Sequence, residues 1–227
     1  MAIPVLIIGK SGSGKSASLR NFKPEEIRLI NVIHKPLPFR NHFDDVINSD
    51  DYPTVSAAMK STDKPVTVID DAGYLITDMF MNQHTKEGRG NGIFTLYNNL
   101  ADYFWRLVKY AKECSDNRII YFIMHEDKND MGDIKPKTIG KLLDEKVCVE
   151  GMFTIVLRSL KQDGKYYFAT TTDGMDVTKT PMGMFSEPLI DNDLKMVDQT
   201  IRKYYGLSEK EEHQKHLESK EDTNGKN

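Results

Sequence analysis

Cysteine is nearly absent from this chain. Its two thiols, Cys114 and Cys148, form neither a disulfide framework nor a metal-ligand spacing. Long apolar runs are missing too. No stretch approaches the ~20 residues a membrane helix requires, and mean hydropathy is −0.52. The early run Ile3–Ile8 has no basic segment before it and no small-residue cleavage site after it, so it does not read as a secretory leader. Nor is there an excess of one charge. The 31 Lys+Arg face 34 Asp+Glu, which excludes a bulk polycation coating nucleic acid but leaves room for a local basic patch. No repeat at solenoid or propeller spacing recurs. The expectation is a soluble, cytoplasmic protein without membrane contact. Its length suits one large domain, or one domain with an appendage.

What is present has a clear order. The segment Ser208–Asn227 holds four Lys, six Asp/Glu and one large aliphatic residue, Leu217. It cannot bury enough apolar surface to offset the entropy of ordering, so it reads as a charged, solvated tail behind a domain spanning residues 1–207. Within that domain, short Val/Ile-rich runs alternate with helical stretches. The expected strands are Ile3–Ile8, Ile27–Val32, Val66–Ile69, Ile119–Met124, Phe153–Leu157 and Tyr166–Thr171. The expected helices are Lys15–Phe22, Thr54–Lys60, Ile93–Cys114, Ile139–Lys146 and Asp193–Tyr205, the last with Gly206 as its C-cap. Strands that are apolar throughout are buried on both faces, which argues for an α/β fold with a mostly parallel central sheet flanked by helices.

Gly9-Lys10-Ser11-Gly12-Ser13-Gly14-Lys15-Ser16 fits the phosphate-loop pattern G-x-x-x-x-G-K-[ST]. It follows an apolar strand and opens a helical stretch. Glycines let backbone N–H groups turn inward around a phosphate, and a helix N-terminus would add its dipole. Gly9, Ser11, Gly12, Ser13, Gly14, Lys15, Ser16 and Ala17 are therefore the candidate nucleotide-binding residues. Lys15 would reach the terminal phosphates and Ser16 would ligate Mg²⁺, so the implied cofactors are ATP and Mg²⁺. The second half of such a site is an acid ending a buried strand. Val66-Thr67-Val68-Ile69-Asp70-Asp71 supplies Asp70 for the metal, and Asp71 to orient or deprotonate the attacking water, with Glu126 the second choice for that role.

Three kinds of P-loop protein compete. A GTPase-like switch is suggested by Asp70-Asp71-Ala72-Gly73 and by Asp127-Lys128-Asn129-Asp130, but the latter begins with Asp where guanine reading expects an Asn amide. A small-molecule kinase usually needs paired mobile arginines, and only eight Arg are scattered along the chain. The third, an ATPase, rests on the order of features. A polar stretch, Asn82–Gly92, follows the acidic strand. A long amphipathic helix and the strand Ile119–Met124 come next, ending in His125. A second polar loop follows over Glu126–Lys137.

This order resembles the RecA-type recombinase core. It is closer still to the short phage ATPases of the Sak type, linked to single-strand annealing. The strings that carry the resemblance are GKSGSGKS, Lys35–Phe39, the VIDDAGYL strand end, Pro136–Lys141, and Gly174–Asp176 through Lys179 to Gly183–Phe185. The resemblance covers about residues 1–190. It implies a RecA-like P-loop NTPase core, a homo-oligomer (ring or filament), and single-stranded DNA bound by the two polar loops in the host cytoplasm. A phage single-strand-binding or recombination protein would be a further partner. The candidate DNA contacts are Lys86 and Arg89 in the first loop and Lys128, Lys135 and Lys137 in the second. His125 takes the slot that senses the γ-phosphate. Lys179 takes the place of a lysine that reaches a neighbouring subunit's ATP, so the catalytic candidates are Lys15, Asp71, His125 and Lys179.

Overall fold

The computed structural model describes residues 1–87, 92–129 and 131–207. Nine strands and four α-helices appear among them. The strands are β1 (Ile3–Gly9), β2 (Ile27–Asn31), β3 (Val46–Asn48), β4 (Val66–Asp70), β5 (Ile119–Lys128), β6 (Ile134–Pro136), β7 (Ile155–Gln162), β8 (Lys165–Ala169) and β9 (Leu189–Asp191). The helices are α1 (Tyr52–Lys60), α2 (Gly73–Glu87), α3 (Gly92–Lys112) and α4 (Leu194–Tyr205).

The sheet runs in the order β3-β2-β4-β5-β1-β7-β8-β9, with β6 paired to the outer part of β5. The six strands from β3 to β7 along this order are parallel, and β8 and β9 add antiparallel edges. This is the mostly parallel α/β sheet the sequence predicts. Its middle strands are buried over most of their length, β4 throughout and β1 from Pro4 on, since helices cover both faces. One face packs Leu6, Ile8, Ile69 and Phe122 under α1, α2 and α3. The other packs Val5, Ile7, Val68 and Tyr121 under Leu194, Val197 and Ile201 of α4. No helix among the described residues is long and apolar enough to cross a membrane.

Local chemistry sets several boundaries. Asp51 caps α1 by accepting from the Thr54 N–H at 2.9 Å, with Pro53 in the first turn where its missing N–H costs nothing. Asp193 caps α4, and Gly206 ends it at φ 63°, where its N–H returns to the carbonyls of Arg202 and Lys203.

Four expectations are corrected. The segment after the phosphate loop is a six-residue 3-10 helix, Ser16–Asn21, not an α-helix. The helix expected at Ile139–Lys146 is a π-helical stretch, Leu142–Val147. Residues 82–87 belong to α2 and do not begin a loop. Glu126–Lys137 is a hairpin: β5 continues past His125 to Lys128 and β6 returns beside it, with Glu126 opposite Pro136 and Lys128 opposite Ile134. The Asn129 side chain closes its turn through both the Asp133 N–H (2.8 Å) and the Asp133 carboxylate (2.9 Å). The predicted tail, residues 208–227, lies outside the described residues.

Candidate nucleotide site

Parallel register brings the site together. Gly9 at the end of β1 lies level with His125 of β5, and Asn31 at the end of β2 lies level with Asp70. The C-terminal ends of β1, β2, β4 and β5 therefore open on one rim. The phosphate loop turns over this rim with Gly12 at φ 75° and Gly14 at φ 98°, a region only glycine enters freely. Gly9 has no room for a side chain. A Cβ there would stand 2.5 Å from the Ser159 carbonyl oxygen and 2.6 Å from the Ser13 Oγ.

Ser11, Gly12, Gly14, Lys15, Ser16 and Ala17 line a cavity of about 490 Å³. Its other walls are Lys35, Pro36, Pro38, Asp71, His125 and Tyr166. Of the remaining loop candidates, Gly9 and Ser13 stand behind the loop, where Ser159 Oγ donates to the Ser13 carbonyl at 2.8 Å. Lys15 is 6% exposed, and its Nζ donates to the carbonyls of Gly9 and Lys10, both at 2.8 Å. Burial pulls its ammonium below the ordinary value, opposed by the charges of Asp71 and Asp70. With only a short 3-10 helix behind the loop, little axial dipole is available. A phosphate held here would therefore rest on the loop N–H groups and Lys15.

Ser16 Oγ donates to Asp70 Oδ1 at 3.0 Å, across 54 residues of sequence. A hydroxyl and a carboxylate meeting at the loop are a hard-oxygen donor pair suited to Mg²⁺. The carboxyl of Asp70 is pushed up to about 6, chiefly by burial, with the adjacent Asp71 charge adding to it and Ser16 opposing it. A folded value above the unfolded one of about 3.9 means that carrying charge here disfavours the metal-free fold. The stability is present below about pH 4 and is lost as pH rises through about 6, by on the order of 2–3 kcal/mol. Asp70→Asn, neutral throughout, should therefore melt above the wild type at pH 7.5 in EDTA. The gap should close by pH 4 in thermal denaturation, and a gap independent of pH would contradict this origin.

Asp71 is 2% exposed and takes the left-handed conformation at φ 61°. Its Oδ2 is ion-paired with Lys35 Nζ, and its Oδ1 lies 3.5 Å from His125 Nε2. Burial, then the Lys15 charge, hold His125 below its ordinary value, so the ring is neutral at pH 7. Tyr74 packs edge-on against that ring at 6.1 Å between centroids. Glu126, the alternative acid, is held by Arg158 through Nε–Oε2 at 2.8 Å and Nη2–Oε1 at 3.1 Å. A carboxylate gripped by both arms of a guanidinium is a poor base.

The other candidates lie elsewhere. Lys179 is exposed, on a segment whose backbone bridges Val156 of β7, and it does not line the loop cavity of its own chain. Lys86 is exposed in the last turn of α2, and Arg89 lies outside the described residues. Lys128, Lys135 and Lys137 all fall on the β5–β6 hairpin or its exit. Lys137 also lines a second cavity, of about 530 Å³, which shares Ser11, Lys35 and His125 with the first. Asp127 Oδ1 accepts from the Lys128 N–H at 2.9 Å. With Asn129 closing its own turn, the guanine-reading string does not face the loop cavity. Asp130 lies outside the described residues. No arginine among the described residues lines that cavity either, which leaves the kinase expectation without its clamp. Sequence reading missed Lys35, Pro36, Pro38 and Tyr166 as walls of the site.

A phosphate loop on the middle strand of a parallel sheet, with a serine–carboxylate pair at its mouth, defines a P-loop nucleotide-binding protein. The chain matches the AAA domain family over residues 1–182 and belongs to it, a family of nucleotide-binding ATPases. No curated protein matches the sequence.

Proposed function

We propose that this chain is a Mg²⁺-dependent ATPase of RecA type that acts on single-stranded DNA, like the Sak-type phage annealing ATPases it resembles. It would work in the cytoplasm, in recombination, annealing or replication, as a homo-oligomer and beside a phage single-strand-binding or recombination protein. Residues 1–207 would be the ATPase domain and 208–227 its charged tail.

In this reading the loop N–H groups and Lys15 bind the phosphates, and Ser16 and Asp70 hold the metal. Mg²⁺, when bound, neutralises charge on the phosphate oxygens. Asp71 orients water and accepts its proton. Lys179 would act on a neighbour's nucleotide, which fits its not being among the residues that line the cavity of its own chain.

One observation carries the DNA assignment. His125 faces Asp71 with its ring, while its backbone carbonyl accepts the Lys137 N–H at 2.8 Å. A single residue thus joins the nucleotide cavity to the lysine-bearing hairpin, a direct route for coupling the two ligands. Cations along a hairpin suit the backbone of a single strand. ATP turnover should rise when single-stranded DNA is added. Neutralising Lys128, Lys135 and Lys137 together should remove that stimulation. It should also flatten the slope of log affinity against log salt by about 2, or ~0.7 per cation lost. Fluorescence anisotropy that shows unchanged affinity and slope would rule the hairpin out, and the same measurement on Lys86→Ala tests the end of α2.

A further inference from the structure

Lys35 belongs to no nucleotide motif, yet the fold delivers it to the phosphate cavity. Strand β2 ends at Asn31, level with Asp70, and a turn through His34 at φ 55° redirects the chain across the rim. Asn31 Nδ2 donates to the Lys35 carbonyl at 2.8 Å and pins its backbone. Beyond it, Leu37 and Phe39 pack against the core, while Pro36 and Pro38 restrict the backbone and face the cavity. The backbone is therefore fixed. The side chain is not: it is 40% exposed and swings on four rotatable bonds, ion-paired at its end with Asp71. Lys35 lines both cavities, the one under the phosphate loop and the one beside the hairpin.

We propose that Lys35 is a triphosphate-reading residue, which pairs with Asp71 when no triphosphate is bound and moves its ammonium onto the terminal phosphate when a nucleoside triphosphate binds. This inference rests on the ATPase reading and deepens it. Two requirements meet in the one move. Asp71 and Asp70 are buried neighbours, so without a bound nucleotide Asp71 would need a counter-charge beyond Lys15. A bound triphosphate needs that same cation, and Asp71 must be uncovered to act on water. A diphosphate leaves Lys35 where it is, so the residue distinguishes ATP from ADP and makes Asp71 available only in the presence of substrate.

The test is equilibrium titration with N-methylanthraniloyl-labelled ATP and ADP, each with Mg²⁺, so that no turnover is needed for the readout. Lys35→Met should weaken ATP binding by about 10-fold or more, the scale of one charged hydrogen bond, and leave ADP binding within about twofold of wild type. Lys35→Arg, which keeps the charge, should lie between. The double variant Lys35→Met/Asp71→Asn removes both members of the pair, so it leaves no stranded buried charge to unfold the site. Compared with Asp71→Asn alone, it should show the same selective loss of ATP affinity. Equal losses for ATP and ADP, no loss at all, or recovery of ATP affinity in the double variant would reduce Lys35 to a structural counter-ion and overturn the proposal. Absence of nucleotide binding by the wild-type protein would instead defeat the ATPase reading itself.

Discussion

Lys15→Ala should hydrolyse ATP at least about 100-fold more slowly than the wild type. The expectation follows from where the ammonium sits. It is nearly buried, held by two carbonyls of the loop and flanked by two carboxylates, so it is a fixed charge that need not reorganise when a phosphate arrives. A cation held in place this way strengthens its interaction as charge grows on the transferred phosphoryl group, which is what accelerates the step.

Lys15→Arg should fail almost as badly. A planar guanidinium cannot place one donor between the Gly9 and Lys10 carbonyls as a compact ammonium does. The circular dichroism spectrum should be unchanged in both variants, because the loop lies on the rim and not in the core. Turnover in purified Lys15→Ala within a few-fold of wild type would remove the phosphate loop from the chemistry.

How much of this was legible in the sequence depended on whether the chemistry was local. The phosphate loop is one continuous string, and Asp70 ends a strand whose every residue is apolar or buried, so both could be read along the chain. The amphipathic stripe and glycine stop of α4 are equally local. Lys35 is different. Only the parallel pairing of β2 with β4 places it over Asp71, and Lys-Pro-Leu-Pro-Phe, though one of the strings that carry the resemblance, has no phosphate-binding pattern of its own. Tyr166 comes from β8 for the same kind of reason.

The helix α2 was hidden because its second half offers Asn82, Gln83, His84, Thr85 and Lys86 and no apolar stripe. It is held instead by contact with α3, where Phe80 stacks on Tyr97 at 5.7 Å. The hairpin was read as a loop because β6 is three residues long and ends in proline, a residue that edge strands tolerate. Glu126 looked like a free acid because its partner Arg158 lies on another strand.

The largest stability effect should come from the opposite side of the molecule. Asp198 of α4 is 1% exposed. Arg202 grips it through Nε at 2.7 Å, and also donates to the carbonyls of Asn117 (2.9 Å) and Pro65 (3.0 Å), while the Tyr121 hydroxyl donates to the same carboxylate at 3.2 Å. One side chain thereby ties α4 to the chain entering β4 and β5. Burial pushes the carboxyl of Asp198 up, opposed by Arg202, so the charge depends on its partner. Arg202→Ala strands that carboxylate and two carbonyls together, and should cost about 3–5 kcal/mol. For a chain of this size that is a fall of about 10 °C in melting temperature. The pair itself is worth far less than its disruption, because both groups gave up hydration to form it. Asp198→Leu/Arg202→Met should therefore recover most of the loss. It should fall short of wild type by about 1–3 kcal/mol, since the Tyr121 hydroxyl and the two carbonyls stay buried without partners. A double variant as unstable as Arg202→Ala would mean that the pair contributes stability outright, and that α4 is held by charge more than by the packing of Leu194, Val197 and Ile201.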